Sequence, residues 1–243
     1  MIVQRLPSLL HFHRSGSMPC PYIEGLFEQQ VFVELSGPTA VNDYNKLSRA
    51  GFRRSHHIVY RPSCTECTAC VPIRIAIQNF KYGKTWKRIL KRNQHIKMQD
   101  VGLTATDEQF LLFSNYVQTR HWDGEMATMN KQDYQNLITA SPINTTIFEF
   151  RDENEKLIAA CLTDKLDDGL SAVYSYFDPI LETDSLGSYM ILKLIEEALN
   201  KGFSYVYLGF WIDNSPKMAY KARFQPLEFF MENGWKSVDT NRK

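Results

Sequence analysis

Cys64, Cys67 and Cys70 recur at three-residue intervals between Pro62 and Pro72. Three thiols in one loop that turns back on itself are chemistry for a soft metal site, zinc or an iron-sulfur cluster. The local set is one ligand short. Cys20, between prolines in MPCPY, is the best fourth, with His13, His56 and His57 as substitutes. The competing reading is that one or two of these cysteines are small buried residues, as expected for Cys161 in the apolar run LIAACLT.

A second chemical feature lies downstream. From Lys81 to Lys97 there are seven Lys or Arg residues and no acid. KTWKRILKRN has helical spacing, with Trp86, Ile89 and Leu90 toward one side and Lys84, Lys87, Arg88 and Lys91 on the other. Such a face can follow a phosphate backbone, each neutralised phosphate adding salt-sensitive affinity. The alternatives are a solvated helix surface or a membrane surface. Later in the chain, Ser185, Leu186 and Gly187 open a helix whose free N–H groups could hold a phosphate or a carbonyl oxygen, unless Ser185 is only a cap. Lys217 and Lys221 share a helix face at i, i+4, where like charges repel by a few tenths of a kcal/mol unless an anion lies between them.

Elements must position these groups. The first third is punctuated by Gly, Pro and Ser, with strands expected at Gln30–Leu35, Ser55–Tyr60 and Val71–Ile77. A strand is expected at His95–Leu103, then helices at about Asp107–Arg120 and Lys131–Ala140. Strands at Thr145–Arg151, Leu157–Thr163 and Leu170–Phe177 follow. The close is a helix from about Leu186 to Lys201 stopped by Gly202, strand Ser204–Phe210, helix Pro216–Arg223 and strand Pro226–Met231. This is an α+β layout. At 243 residues and 44% hydrophobic content the chain can bury a real core. It has no run approaching the ~18 apolar residues of a membrane span and no secretory leader pattern, so a cytoplasmic protein with reduced cysteines is expected. A net charge of +1 gives no global steering toward nucleic acid.

Taken together, CPY at Cys20–Tyr22, GFRRS at Gly51–Ser55, YRPSCTECTACVPIRI at Tyr60–Ile75, YFDP at Tyr176–Pro179, SLG at Ser185–Gly187, YLGFWI at Tyr207–Ile212 and KMAYKARFQPLE at Lys217–Glu228 resemble the arginyl-tRNA-protein transferase family, and its short bacterial branch in particular. The motifs span nearly the whole chain in the family's order. The resemblance implies transfer of leucine from leucyl-tRNA to the N-terminal amine of proteins bearing N-terminal Asp or Glu, which marks them for degradation through the N-degron pathway. It also implies a GNAT-like acyltransferase domain at 86–243 after a smaller cysteine-containing N-terminal α/β region at 1–85. By that analogy Ser185 and Gly187 face the 3′ end of the tRNA. Eukaryotic relatives carry a second cysteine where this chain has Ile23, and adjacent cysteines where it has Ala69 and Cys70. Zinc and an iron-sulfur cluster therefore both stay open, in a structural or redox role.

An aminoacyl ester is already activated, so transfer requires no cofactor. The resemblance places Asp178 and Tyr174 near the cleft as base or amine-orienting groups. Recognition of an N-terminal acid calls for a cation, planar Arg above all. Arg53, Arg54, Arg74 and Arg223 are candidates, and an internal ion pair is the competing role for Arg54 and Arg74. Tyr176, Phe210 and Trp211 are available for a leucyl pocket, whereas an arginyl side chain would need buried acids. Lys84, Lys87, Arg88, Lys91, Ser185, Gly187, Lys217 and Lys221 are the residues expected to touch tRNA. No DNA or membrane partner is expected. The rival readings are an arginyl donor, a non-catalytic metal-stapled RNA-binding protein and a small-molecule N-acetyltransferase.

Overall fold

The computed structural model describes residues 10–213 and 215–238. Near the start, β1 (His13–Arg14), β2 (Met18–Pro19) and β3 (Phe27–Glu28) are two-residue strands. They are followed by β4 (Gln30–Glu34), α1 (Ala40–Arg49), β5 (Arg53–Ser55) and β6 (Ile58–Pro62). β1, β4, β6 and β5 form a four-stranded sheet in that order, and β2 pairs with β3 separately. The strand expected at 55–60 is thus two strands that meet at a tight turn. Helix α1 has no counterpart among the expected elements. Ala40, Tyr44 and Leu47 are buried at helical spacing, but Asn42, Asn45 and the preceding LSGPT obscure the pattern.

The main sheet takes β7 (Val71–Ala76), β8 (Lys97–Asp100), β9 (Thr145–Arg151), β10 (Leu157–Lys165), β11 (Gly169–Phe177), β12 (Tyr205–Trp211), β13 (Leu227–Met231) and β14 (Gly234–Ser237). Their spatial order is β14-β13-β7-β12-β11-β10-β9-β8. Every neighbouring pair is antiparallel except β11 and β12, which are parallel. Strand β7 comes from the cysteine-bearing stretch yet sits between β12 and β13, so the cysteine loop is tied directly to the middle of the sheet.

Side chains alternate across a strand, and the sheet uses both faces. Phe148, Phe150, Ala159 and Cys161 pack beneath α2 (Lys84–Arg92) and α5 (Leu186–Asn200), where Trp86, Ile89, Leu192, Leu194 and Ile195 are buried. Ile147, Ala160 and Leu162 face α3 (Asp107–Arg120) and α4 (Lys131–Thr139), meeting Phe113, Val117, Tyr134 and Ile138. Capping boxes start both of these helices, Thr106 with Gln109 and Asn130 with Asp133. Helix α6 (Pro216–Ala219) is one turn, and Tyr220–Arg223 continues it as a 3-10 turn. The strand expected over 95–103 contracts to Lys97–Asp100.

A buried ion pair fastens the small sheet to the large one. Arg54 on β5 donates from Nε and Nη2 to Asp164 on β10 at 2.8 and 2.6 Å, and both side chains are fully buried. Tyr44 Oη and Thr145 Oγ1 each donate to the same carboxylate at 2.8 Å. Removing one member of such a pair leaves a buried charge without its partner, at a cost of about 3–5 kcal/mol. Arg54→Met is expected to lower unfolding stability by that order in urea melts, and adding Asp164→Leu to recover part of the loss. Equal stability of the single variant and the parent would contradict this role.

Candidate active site at the open fork of the sheet

The parallel ladder between β11 and β12 is short. It joins Gly169 to Tyr205, Leu170 to Val206 and Ser171 to Tyr207, and then stops although both strands continue. The register of β12 against β7 shifts between Tyr207 and Phe210. Gly209 lies inside that shift with φ +70°, a left-handed conformation that suits glycine and marks a bulge. The two strands therefore open into a fork.

Opening a ladder strands carbonyl groups, and buried carbonyls need donors. On β12, Lys221 Nζ donates to the carbonyls of Leu208 and Phe210, each at 2.9 Å. On β11, Arg53 Nη2 donates to the carbonyl of Val173. The two cations thus replace the missing ladder bonds from either side. A Cβ at Gly209 would lie 2.8 Å from Arg53 Nη1 and 3.1 Å from its Cζ, so glycine also makes room for the guanidinium. Neither Arg53 nor Lys221 forms an ion pair with an acid among the described residues. Lys221 is only 8% exposed. Burial, and then the neighbouring Arg53 charge, lower its ammonium to about 7. A cavity of about 10 Å³ at the base of the fork, with Arg53, Ser171, Tyr207, Gly209 and Phe210 in its lining, has room for about one water.

Phenols crowd the same region. Burial pushes Tyr220 up to about 12, with Tyr116 and Cys161 adding to the shift and Arg53 opposing it. Burial likewise holds Tyr174 well above the ordinary phenol range, with Tyr116 adding and Arg53 opposing. Both stay protonated at neutral pH, so neither is a base. Asp178, the other candidate base, accepts from Lys156 Nζ at 3.1 Å and from the Ile180 N–H at 3.1 Å. It fastens the turn that leaves β11, so its carboxylate is engaged in structure.

Several other expected site residues are placed differently. Arg54 is sealed against Asp164, which excludes contact with an acceptor. Arg74 donates to Glu228 at 2.7 Å and Tyr207 Oη at 3.0 Å, with its guanidinium 3.4 Å from the Tyr205 ring centroid, so it too is an internal residue. Tyr176 is 1% exposed, and its hydroxyl meets that of Tyr134 at 2.5 Å beneath α3 and α4. It cannot line an open pocket. Phe210 and Trp211 do lie at the fork. Phe210 lines the small cavity, and Trp211 packs edge-on against Phe229 with centroids 5.3 Å apart. Lys221 turns inward instead of sharing an exposed face with Lys217, whose side chain lies outside the described residues.

On α2, Lys84, Lys87, Arg88 and Lys91 are exposed, and among the described residues none of them pairs with an acid. Arg223 extends this surface, its guanidinium 5.2 Å above the Trp86 ring. The end of α2 is tied to the start of α5 by Asn93 Nδ2, which donates to the Asp184 carbonyl at 2.9 Å. Ser185 is left-handed, with φ +56°, and its side chain makes no cap hydrogen bond. A Cβ at Gly187 would make ordinary contact with Phe177 at 3.6 Å, so the space there does not require glycine.

Cys20, Cys64, Cys67 and Cys70 are free and half-buried. Burial, followed by the other three thiols, pushes Cys70 up to about 12, which places all four in one neighbourhood. The sulfur set suits a soft metal. The geometry does not: among the described residues, no group of three or more His, Cys, Asp or Glu is disposed to hold a metal ion.

The features that sequence reasoning missed are Gly209 as the bulge, the inward turn of Lys221, and the phenols of Tyr116 and Tyr220. Glycine inside the apolar run YLGFWI is the signal that could have located the bulge.

Residues 18–88 match the family described as "Arginine-tRNA-protein transferase, N terminus" and residues 108–231 the one described as "Arginine-tRNA-protein transferase, C terminus". A relative from Granulibacter bethesdensis named aspartate/glutamate leucyltransferase is 50% identical over 93% of this chain and 85% of its own length. One of the same name from Gluconacetobacter diazotrophicus is 48% identical over 98% and 91%. Among solved structures, a GCN5-related glucosamine N-acetyltransferase region of a fungal multi-domain GH3 β-N-acetylglucosaminidase aligns with 93% of this chain and 24% of that one. Its TM-score of 0.44 and 10% identity are too low to carry an argument. Among the described residues no helix is long and apolar enough to cross a membrane.

Two outcomes follow from the site. An unfolded lysine titrates near 10.5 and Lys221 in the fold near 7, so between these values the unfolded chain binds more protons and stability rises with pH. The melting temperature of the parent should therefore climb from pH 7 toward pH 9 more steeply than that of Lys221→Met, and parallel slopes would contradict the burial argument. Replacing Lys87, Arg88 and Lys91 together by Ala should weaken tRNA binding and reduce the slope of log K against log salt by about 2–3, near one for each phosphate that is no longer neutralised. An unchanged slope would remove α2 as the docking face.

Proposed function

Because the chain belongs to the arginine-tRNA-protein transferase family, we propose that it transfers leucine from leucyl-tRNA to the N-terminal amine of proteins that begin with Asp or Glu, tagging them for the N-degron pathway in the cytoplasm. It is an aminoacyltransferase acting on tRNA and protein substrates. The donor is an ester already activated on tRNA, and the work left for the protein is alignment, which can contribute ~7–11 kcal/mol in well-oriented cases.

One observation carries the choice of acceptor. Arg53 and Lys221 stand together in the fork, and no acid among the described residues pairs with either. Buried and half-buried cations without counter-ions favour an incoming carboxylate, and guanidinium binds one bidentately. The acidic side chain of the acceptor seats against Arg53 and Lys221, which brings its α-amine to the mouth of the fork. An α-amine has a pKa near ~8, so a useful fraction is neutral at pH 7 without a dedicated base. The phenol oxygens of Tyr174 and Tyr220 accept hydrogen bonds from its N–H groups and orient it with the lone pair free.

On the donor side, the exposed face of α2 with Arg223 follows the tRNA backbone, and the start of α5 at Ser185 and Gly187 faces its 3′ end. Phe210 and Trp211 form the wall for the leucyl side chain. The parallel unit β11-α5-β12, open at one end, supports a GNAT-like reading of residues 86–243 with the smaller cysteine-containing region at 1–85 beside it. Transfer requires no cofactor. For the four cysteines a structural or redox role is kept, with zinc or an iron-sulfur cluster as the groups their sulfurs would suit, although no three of them are disposed to hold a metal ion as they stand. Closing the set on a metal needs the sulfurs to draw together, and no step of transfer passes through it.

The test is transfer of labelled leucine and labelled arginine from their charged tRNAs to peptides that begin with Asp, Glu, Lys or Ala. Leucine on Asp and Glu peptides alone is the expected result. Arginine in place of leucine would overturn the donor. Binding of tRNA without transfer from either would favour a non-catalytic RNA-binding protein.

A further inference from the structure

Strand β12 divides the surroundings of the fork into two sides. Val206 and Leu208 belong to the cluster beneath α2 and α5, whereas Tyr207 between them belongs to the cluster that holds Val33 and Val59 of the small sheet. The small sheet therefore lies on the face opposite α2 and α5. At the Gly209 bulge the alternation shifts, and Phe210 reaches Tyr60 of β6, with ring centroids 5.9 Å apart. Arg53 pairs across the strands with that same Tyr60, Tyr60 with Phe32, and Phe32 with His13. Cross-strand partners share a face, so these four side chains form one row that begins in the fork and runs out across β5, β6, β4 and β1. Arg54, Val59 and Val33 alternate with them, take the other face and are buried. The row itself stays open: Arg53, Tyr60 and Phe32 are half-buried and His13 is exposed. Burial raises the Tyr22 phenol, with Arg53 opposing and Tyr60 adding, which places this 38%-exposed side chain beside the head of the row.

We propose that the row is the track for the acceptor polypeptide behind its first residue, a surface that rests on the transferase reading above. Donor and acceptor need separate approaches to the fork, and the elements read as the tRNA side occupy the opposite face of the sheet. The acidic first residue fixes one end of the acceptor at Arg53 by charge. Its next residues then meet aromatic rings. Neighbouring strands are ~4.8 Å apart, so the three steps from Arg53 to His13 span ~14 Å, the length of about four extended residues at ~3.4 Å each. The track thus reads the second to fifth positions of the acceptor and nothing beyond them. The second position falls on Tyr60, with Tyr22 and Phe210 to its sides. An apolar side chain there removes area from water on both partners, which favours Leu or Phe over Gly. A folded acceptor must accordingly offer about five extended residues before its first packed element.

The test is kcat/KM for leucine transfer to a seven-residue peptide with Asp first and Gly elsewhere, in which Leu replaces one Gly at a time. Leu at the second position is expected to raise kcat/KM about tenfold. Smaller gains should appear at the third to fifth positions, and none at the sixth or seventh. Tyr60→Ala should cut the gain at the second position to within about twofold, taken as the ratio of the two peptides in the same variant, which a general loss of activity would not change. Phe32→Ala, one strand further out, should remove the gains beyond the second position while keeping that one, and it covers a Tyr60 variant that fails to fold. Equal kcat/KM for all the peptides in the parent, or gains that neither variant reduces, would overturn the track while leaving the transferase reading intact. Absence of transfer to every Asp peptide would instead sink that reading, and the track with it.

Discussion

Everything at the candidate site depends on two parallel strands giving up their ladder after three residue pairs. β11 and β12 separate beyond Ser171 and Tyr207, and the side chains of Lys221 and Arg53 donate to carbonyls along the separated stretch. Lys221 does this for β12 and Arg53 for β11. The arrangement has an electrostatic consequence. Two positive groups are held close together in a poorly hydrated gap, where mutual repulsion and desolvation both work against them. An anion in the gap relieves both, so the device that opens the sheet also prepares it for a carboxylate.

The surrounding structure holds that gap rigid. Arg53 is presented by β5, and its neighbour Arg54 locks the same strand to β10 through a fully buried carboxylate that also receives Tyr44 and Thr145. Further along the same face of the sheet, the hydroxyls of Tyr176 and Tyr134, then Gln109 and Glu149, form a continuous hydrogen-bonded chain under α3. Satisfied networks of this kind specify one packing. The end of α2 and the start of α5 are tied together separately, through Asn93. Anchoring of both walls lets the fork bind by alignment and makes little demand on acid-base chemistry.

The regular elements are legible in the sequence because their patterns are local. Period-two and period-3.6 alternation marks β9 through β12 and the helices α3, α4 and α5 to within a residue or two. Helix α1 is hidden by asparagines, and β8 is shorter than its pattern suggests because the chain turns at Gly102, which is left-handed and donates its N–H to Asp100 Oδ1. The site is legible in part. Arg53 and Phe210 line the cavity at the fork, Trp211 ends β12, and the basic face of α2 is exposed. Arg54, Arg74 and Tyr176 are internal instead, and the sequence hides this because their partners Asp164, Glu228 and Tyr134 are distant in sequence and no local spacing announces them. The i, i+4 spacing of Lys221 to Lys217 suggests a surface residue, whereas the turn tightens to 3-10 geometry at Tyr220 and carries it inward.

The role proposed for Arg53 is to read the acidic side chain of the acceptor across the open fork. The most direct measurement is kcat/KM for peptides differing only in an N-terminal Asp, Asn or Ala, compared between the parent and Arg53→Gln. The parent's preference for Asp over Asn should shrink about 100-fold in the variant, the scale of losing one partner of a buried charge pair, while leucyl-tRNA affinity is retained. An undiminished preference for Asp in Arg53→Gln, with overall activity intact, would contradict it.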